Sequence, residues 1–239
     1  VASPPVSFDL RVPDQYGTIQ EAIDAAEDGD TVTVAPGRYA ENLQLRGKDI
    51  ILKSTDPTDA DIVAATIIDG SGKDAVIRIY EGETDAVITG FTIVNGIGAA
   101  RPTGDRRGGG IDIFVNSPGS FQFSITNNVF QGNEADYGGG LSAYMNSSDG
   151  CILTIAGNTF RDNRAQYGGG IYTEGGTPVI TDNTVSDNSA LDGGGVYVSA
   201  DQQGVIEANT VVENTAVTSG GGLFVNWGYA DIVGNTIMY

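Results

Sequence analysis

The chain has 239 residues, with 31 acidic against 12 basic side chains and a formal net charge of −19. Because phosphate binding needs a basic surface, this charge argues against a nucleic-acid partner and an anionic membrane surface. The sequence has no histidine and a single cysteine, Cys151, which excludes imidazole catalysis, histidine-ligated zinc and an intramolecular disulfide.

In chain order, the first predicted element is a short helix. Thr18 and Glu21 have the spacing of a capping box, and the apolar residues between Ile19 and Ala26 fall on one helical face. The pattern predicts a helix over about residues 19–27, the only helix of the chain. Because the end of a solenoid exposes apolar core and strand edges, we expect this helix to plug that end.

Short strand patterns follow the helix, each bounded by turn residues. They are Thr31–Val34, Asn42–Leu45, Ile50–Lys53, Thr66–Ile68 and Ala75–Ile79. Two segments are predicted to lie outside the regular coils. Ser54–Asp61, rich in Asp, Pro and Thr, reads as a loop, and Ala99–Arg107 is the second excursion.

A repeat dominates the rest of the sequence. The pattern Asn-x-Phe/Val-x-x-Asn-x-Ala begins at Asn128, Asn158, Asn183 and Asn209, and a fifth copy starts at Asn235. The first Asn recurs after 30, 25, 26 and 26 residues, and three glycines and an aliphatic residue follow each full copy. Short β-prone runs at this period, with glycine corners, predict a solenoid of stacked β-coils.

The repeat residues have physical reasons in such a stack. Asn at a coil corner can form an inward ladder of amides, which satisfies polar groups that would otherwise be buried unpaired. Glycine allows positive φ and close approach of neighbouring coils. We expect one domain over residues 1–239, with a cap region at 1–30, irregular coils at 31–107 and regular repeats at 108–239.

Two segments carry a family resemblance. Val12-Pro-Asp-Gln-Tyr-Gly-Thr-Ile-Gln-Glu-Ala-Ile23 and Gly29-Asp-Thr-Val-Thr-Val-Ala-Pro-Gly-Arg-Tyr-Ala-Glu41 resemble the N-terminal cap and first coil of pectin-lyase-like proteins. Within the second segment, Gly37-x-Tyr39-x-Glu41 is similar to an early motif of pectin methylesterases. The later repeats resemble those of polymorphic outer-membrane adhesins, which carry Gly-Gly-Ala-Ile/Leu and Phe-x-x-Asn. Together the resemblances imply an all-β, right-handed parallel β-helix solenoid with a short N-terminal capping α-helix.

The resemblance does not extend to a family's catalytic motifs. Methylesterases need two catalytic Asp and a downstream Arg in motifs that this sequence lacks, and polygalacturonase-type hydrolases need a His. Pectate lyases use Asp-bound calcium and an Arg base, and Arg101-Pro102 followed by Arg106 is a loose echo of their Arg/Pro pattern.

A basic loop is the first candidate substrate-binding site. Its residues are Arg101, Asp105, Arg106 and Arg107. Arginine binds uronate carboxylates through its bidentate fork, and in a lyase it would abstract the proton next to that carboxylate. Arg161 and Arg164, one to two repeats on, could reach the same side. The alternative is a solvated loop in which Arg pairs with local Asp.

An aromatic stripe is the second candidate substrate-binding site. Tyr172, Tyr197 and Phe224 each follow the first aliphatic residue after a glycine triplet, so we expect them to point outward and stack on adjacent coils. Such a platform could hold sugars or a protein partner. The alternative is self-stacking that stabilises the coils.

Acidic clusters raise the question of metal binding. Asp56, Asp59 and Asp61 crowd one loop and could ligate calcium, although the spacing lacks the glycine and final Glu of a defined calcium loop. The alternative is an acidic, solvated turn. No other cofactor is indicated.

Three functional hypotheses follow. The leading one is a non-catalytic extracellular or cell-surface adhesion module, contacting carbohydrate and belonging to a longer array. The alternatives are a polysaccharide lyase or epimerase acting on acidic glycans, and a purely structural spacer. The expected partners are a polysaccharide or a surface protein. No apolar stretch approaches the ~20 residues of a membrane-spanning helix. Because the repeat at Asn235 is incomplete, we expect the C-terminal edge to be continued or covered.

Overall fold

The computed structural model describes residues 7–80, 82–146, 150–199 and 203–239. These residues form an all-β right-handed parallel β-helix of about 7 turns, which confirms the predicted fold class. The helices of the described residues are α1 (Ile19–Ala25) and α2 (Ala60–Ala65). The strands up to the second excursion are β1 (Asp9–Val12), β2 (Thr31–Val34), β3 (Gly37–Tyr39), β4 (Leu43–Gln44), β5 (Ile51–Ser54), β6 (Thr66–Asp69), β7 (Ile77–Ile79), β8 (Asp85–Thr89), β9 (Thr92–Val94), β10 (Ala99–Ala100) and β11 (Arg106–Arg107).

The strands of the regular repeats complete the coils. They are β12 (Ile111–Val115), β13 (Phe121–Thr126), β14 (Val129–Gln131), β15 (Leu141–Met145), β16 (Cys151–Ala156), β17 (Thr159–Arg161), β18 (Ile171–Gly175), β19 (Thr177–Thr181), β20 (Thr184–Ser186), β21 (Ser189–Asp192), β22 (Val196–Ser199), β23 (Gly204–Glu207), β24 (Thr210–Val212), β25 (Thr215–Ser219), β26 (Leu223–Trp227), β27 (Ala230–Val233) and β28 (Thr236–Met238).

Three parallel sheets form the walls of the helix. The nine-stranded sheet has the order β1-β2-β5-β8-β13-β16-β19-β23-β27. The eight-stranded sheet runs β28-β24-β20-β17-β14-β9-β6-β3, and the seven-stranded sheet runs β26-β22-β18-β15-β12-β7-β4. Two small pairs, antiparallel β10–β11 and parallel β21–β25, lie beside them. Aliphatic and aromatic side chains from the three walls fill the bore, where Phe130 and Phe160 stack with ring centroids 4.5 Å apart.

The N-terminal helix forms as predicted. Thr18 and Glu21 make both hydrogen bonds of the capping box, and the buried face of α1 joins the core. The prediction that this is the only helix is wrong, because α2 lies partly in the segment expected to be a loop. Asp59 caps α2 by accepting hydrogen bonds from the backbone N–H groups of Asp61 and Ile62.

Two asparagine ladders run up the regular coils, as predicted. In each step the side-chain oxygen of one Asn accepts hydrogen bonds from the backbone and side-chain nitrogens of the Asn one coil earlier. One ladder is Asn128, Asn158, Asn183, Asn209 and Asn235. The other is Asn133, Asn163, Asn188 and Asn214. Most of these side chains are buried, and their remaining amide hydrogens bind backbone carbonyls.

The glycine triplets fit the stack for two different reasons. Only the first glycine of a triplet has a positive φ, for example 66° at Gly168. The second has no room for a side chain, since a Cβ at Gly169 would lie 2.2 Å from the carbonyl oxygen of Gly194 on the next coil. The triplet therefore combines one left-handed turn with close coil-to-coil contact.

Coil length varies within the regular repeats at the corner between the seven-stranded and nine-stranded sheets. Residues 116–120 separate β12 from β13, whereas Gly176 alone separates β18 from β19. Gly176 has a φ of +60°, and a Cβ there would lie 2.9 Å from the Cys151 carbonyl oxygen. The longer and shorter coils differ at this corner while the ladders stay in register.

Candidate active or binding site on the seven-stranded sheet

The outer face of the seven-stranded sheet carries a row of charged and aromatic side chains. Because side chains alternate along a strand, Asp112 and Phe114 of β12 project outward between residues of the bore. The strand register places Asp112 beside Arg78 of β7 and Ser142 of β15. The same row continues with Tyr172, Tyr197 and Phe224.

A strap, residues 99–107, covers part of this row. The strap is a hairpin in which β10 pairs with β11, and the Arg101 N–H donates to the Asp105 carbonyl oxygen at 2.9 Å. The Arg106 N–H donates to the Asp136 carboxylate at 2.7 Å, which ties the strap to the following coil. The predicted excursion is thus an ordered cover.

Arg101 reaches from the strap to a buried carboxylate. Its Nη2 donates to Asp112 Oδ2 at 2.6 Å, and the Asp112 side chain is 0% exposed. Desolvation raises the pKa of Asp112 to about 7, even though the neighbouring guanidinium groups of Arg101, Arg78 and Arg107 oppose that shift. A buried carboxyl that titrates near neutrality is typical of functional sites.

Several polar atoms around Asp112 have no hydrogen-bond partner in the described structure. They are Asp112 Oδ1, Ser142 Oγ, Arg101 Nε and Arg78 Nε. Buried polar groups in proteins are nearly always hydrogen-bonded, and each exception costs about 1–3 kcal/mol. Four such atoms therefore lie around one buried carboxylate.

Arg107 forms the second cationic point of the site. Its Nε donates to Asp105 Oδ2 at 3.0 Å, its Nη1 lies 3.4 Å from Glu174 Oε2, and its guanidinium lies 4.4 Å from the Tyr137 ring centroid. Desolvation lowers the pKa of Arg107, but the bond to Asp105 and the charges of Tyr172 and Glu174 outweigh it and raise the pKa overall. Arg107 is therefore held in its charged form.

A cleft of ≈330 Å³ opens between the strap and the sheet. It is lined by Arg101, Pro102, Thr103, Asp105, Arg107, Phe114, Asn116 and Tyr144. The Phe114 and Tyr144 rings stack with centroids 5.2 Å apart, and the Arg101 guanidinium lies 4.5 Å from the centroid of Phe114. The cleft thus combines guanidinium groups with aromatic faces.

The structure brings together three of the four predicted residues of the basic loop. Arg101, Asp105 and Arg107 line the cleft, while Arg106 turns its guanidinium to the Gly98 carbonyl oxygen at 3.2 Å. The local pairing of Arg107 with Asp105 matches the alternative reading of a self-paired loop, but Arg101 pairs instead with buried Asp112. The expectation that Arg161 and Arg164 reach this side is wrong: β17 puts Arg161 on the eight-stranded sheet, and Arg164 lines a separate cavity.

The aromatic stripe stacks as expected but is covered. Ring centroids are 5.1 Å apart between Tyr172 and Tyr197, and 5.2 Å apart between Tyr197 and Phe224. Tyr137 and Tyr167 pack edge-on against the two tyrosines, whose exposures are only 5% and 7%. Burial raises the pKa of Tyr172, whose hydroxyl donates to Glu174 at 2.9 Å. The two tyrosines are therefore no open platform, and a direct role of the stripe in binding stays a prediction.

Sequence analysis missed the central residue of the site. Asp112 follows Ile111 after the glycine triplet at 108–110, so it occupies the same repeat position as Tyr172 and Tyr197. Alignment of all five triplets would have shown a carboxylate at a position that is otherwise Ser or aromatic. The contact from Arg101 to Asp112 depends on how the strap folds back, and no sequence spacing indicates it.

The structure does not gather the three aspartates proposed for calcium. Asp56 accepts hydrogen bonds from the backbone and hydroxyl of Thr58, which lower its pKa, and Asp59 caps α2. Among the described residues, no group of three or more His, Cys, Asp or Glu side chains could hold a metal ion. The residues present there do not fit a calcium site.

The fold and site define a right-handed parallel β-helix protein with one elaborated outer face. The chain matches the family described as right handed beta helix region over residues 71–238, and it belongs to that family. No curated protein matches the chain. No helix among the described residues is long and apolar enough to cross a membrane.

Two solved structures are similar to the chain. Both are pectin methylesterase from Aspergillus niger, in a deglycosylated form (16% identity, TM-score 0.47) and a penultimately deglycosylated form (13%, 0.43). Each alignment covers 98% of this chain and 86% of the other. These values say nothing about activity. The resemblance of the repeats to adhesins is untested by these comparisons and stays a prediction.

Proposed function

We propose that this chain is a glycan-contacting β-helix module that binds an acidic saccharide in the strap cleft. The observation that carries the proposal is the convergence of Arg101 and Arg107 with two aromatic rings on one open cleft, in a chain of net charge −19. Guanidinium groups bind carboxylates through paired hydrogen bonds, and aromatic rings pack on the apolar faces of sugars. A uronate offers both features in one unit.

The dimensions of the cleft support a small number of sugar units. At ≈330 Å³ it falls at the lower end of the range of roughly 300–1,000 Å³ that is usual for ligand sites. An extracellular or cell-surface setting belongs to the same proposal, because polymeric uronates occur outside cells.

Titration calorimetry with trigalacturonate tests this function. Arg107→Gln should weaken binding by about 10- to 100-fold, since a hydrogen bond to a charged group contributes about 1.5–3 kcal/mol. Arg161→Gln is the matched control, because it removes the same charge from another sheet and should bind normally. Equal affinity in the two variants, or no binding by the unmodified chain, would contradict the proposal.

A second candidate function is an enzyme acting on the same glycans, and Asp112 is the observation that favours it. A carboxyl with a pKa of about 7 suits general acid–base chemistry at neutral pH. Arg107 is unsuited to the part of a base, because its neighbours raise its pKa. Since Asp112 is buried beneath Arg101, substrate would reach it only when the strap lifts.

An absorbance assay for unsaturated uronate distinguishes the two functions. An enzyme of the lyase type would release unsaturated product from polygalacturonate, and Asp112→Asn would abolish that release. A chain that binds trigalacturonate without releasing product is the binding module.

A further inference from the structure

We propose that a ligand carboxylate binds Arg101 only as Asp112 takes up a proton, so that the buried Arg101–Asp112 pair links the binding of free uronates, but not of their esters, to pH. This inference rests on the proposed function, and it names the ligand group that the site recognises. The two residues lie on different elements, Arg101 in the strap and Asp112 on β12.

Arg101 is shared between the cleft and the buried carboxylate. It lines the cleft, yet its Nη2 is already bound to Asp112 Oδ2 at 2.6 Å. A ligand carboxylate at Arg101 therefore either displaces Asp112 or places a second anion on the same guanidinium. In both cases Asp112, at 0% exposure, would remain charged without its full counter-ion, which is strongly unfavourable in a desolvated place.

The surrounding charges cannot compensate. The other arginines that face Asp112 are already paired with carboxylates: Arg78 with Asp74, and Arg107 with Asp105 and Glu174. With Arg101 and Asp112 included, these groups comprise three cations and four carboxylates. A further anion would add to an existing excess of negative charge, and one proton on Asp112 removes that added charge.

The structure also provides a place for the proton. Asp112 Oδ1 has no partner among the described residues, and Ser142 Oγ, its register neighbour, is likewise unpartnered. A proton taken from solvent by Oδ1 forms an O–H bond, and the Ser142 hydroxyl on the adjacent strand has a free oxygen lone pair to accept from it. Burial already raises the pKa of Asp112 to about 7, so this protonation is accessible near neutral pH.

A ligand without a free carboxylate does not need this proton. The methyl ester of a uronate is neutral, so it leaves the Arg101–Asp112 pair intact. Its binding should therefore be independent of pH in the range where free-uronate binding changes. The ratio of the affinities for the free uronate and its methyl ester thus depends on Asp112, a residue that the ligand need not contact.

Calorimetric titrations at pH 6, 7 and 8, each in two buffers of different ionisation enthalpy, measure both affinity and proton uptake. The probes are trigalacturonate and its methyl ester. For trigalacturonate, linkage to one proton predicts about tenfold weaker binding at pH 8 than at pH 6, with uptake approaching one proton at pH 8. The methyl ester should show neither effect.

Two variants locate the proton. Asp112→Asn should bind trigalacturonate with no proton uptake and no change between pH 6 and 8. Asp69→Asn is the matched control: it interrupts another arginine–aspartate pair, Arg38–Asp69, at the eight-stranded sheet, and should keep the full pH dependence.

The outcomes separate the inference from the proposed function. Trigalacturonate binding without proton uptake overturns the inference and leaves the proposed function standing. Absence of binding at every pH overturns both. If Asp112→Asn fails to fold, proton uptake by the unmodified chain still tests whether binding is linked to a proton. Loss of that uptake in Asp69→Asn would assign the proton to another group and overturn the inference.

Discussion

At the scale of single residues, the molecule handles buried polar groups in two contrasting ways. The ladder asparagines are saturated with hydrogen bonds: the Nδ2 of Asn183 donates to the Asn209 side chain and to two backbone carbonyls. Asp112 is equally buried, yet one of its oxygens has no partner in the described structure. Saturated polar groups stabilise a fold, whereas an unsaturated buried one calls for an explanation such as strain, a catalytic role or a bound water.

Asn183→Ala tests how much the hydrogen-bonded ladder asparagines contribute to stability. The change leaves the neighbouring ladder amides without a partner, so we expect the free energy of unfolding to fall by about 1–3 kcal/mol in chemical denaturation. Thr184→Ala, at the exposed next position on β20, serves as control and should shift it by less than about 0.5 kcal/mol. An unchanged midpoint for Asn183→Ala would show that the ladder contributes little.

Asp112→Asn tests the role of the buried, unsaturated carboxyl by its effect on the pH dependence of stability. The folded pKa of about 7 lies above the ordinary value of about 3.9, so the folded state holds an extra proton between these pH values. The free energy of unfolding should therefore fall as pH rises from ~4 to ~7, by up to about 4 kcal/mol, and Asp112→Asn should remove that decrease.

Asp69 should change the free energy of unfolding with pH in the opposite direction. Desolvation raises its pKa, but hydrogen bonds from Asn95, Ser71 and Arg38 outweigh this and lower it overall. Its stabilisation is present above the unfolded pKa and is lost as pH falls through the folded value. Denaturation curves of Asp112→Asn and Asp69→Asn from about pH 2 to 8 check both signs, because the Asp69 contribution is lost only below its ordinary pKa of about 3.9. Parallel pH profiles for Asp112→Asn and the unmodified chain would refute the assignment.

At the scale of elements, close coil contact decides which residues a repeat position accepts. The first glycine of a triplet makes the left-handed turn, whereas a Cβ at the second or the third would meet the next coil's backbone, as at Gly169 and Gly170. The residue before each second ladder Asn has another constraint, a φ near +57°, and holds Gly132, Asp162, Asp187 or Glu213. The three acidic residues at this position are exposed to solvent.

Gly169→Ala tests the steric constraint. Its Cβ would lie 2.2 Å from the Gly194 carbonyl oxygen and within 2.9 Å of the Ser189 backbone, so the coils must separate. We expect a loss of about 3 kcal/mol or an unfolded product, measured by thermal denaturation. Gly132→Asn is the control, because space there is open and Asn tolerates positive φ. Similar stability of the two variants would mean that the stack yields easily.

The sequence predicted the repeated elements far better than the site. Ladders, triplets and α1 come from local or periodic patterns, which report directly on stacking between neighbours. Helix α2 was missed because six residues with little apolar periodicity are held by one cap at Asp59. The Arg101–Asp112 pair and the tyrosine cover arise from long-range folding of the strap and from side chains on different coils. Such contacts leave no period in the sequence.

At the scale of the whole molecule, charge is unevenly distributed. The stretch from Ala165 onward holds eight acidic residues and no Lys or Arg, whereas the basic cleft lies in the first half of the chain. A net charge of −19 destabilises the compact state through self-repulsion, and dissolved salt screens that repulsion.

Salt should therefore stabilise the protein without distinguishing between divalent cations. We expect the melting temperature to rise as NaCl increases from about 10 mM to 1 M, because the Debye length then shrinks from about 30 to 3 Å. At equal concentration, MgCl2 and CaCl2 should raise it equally, since the described aspartates at positions 56, 59 and 61 do not converge. A larger rise with calcium would reveal a specific site.

The variable corner between the seven-stranded and nine-stranded sheets has a consequence for how such proteins diversify. One coil has five residues there, at 116–120, and another has only Gly176. In both, the strands of the nine-stranded sheet stay in register. Asn116, which begins the longer version, also lines the cleft. If the cleft binds a glycan as proposed, insertions at this corner would alter its ligand preference while the scaffold stays unchanged. A library of loop sequences substituted at 116–120 could be screened for altered ligand binding while the β-helix scaffold stays the same.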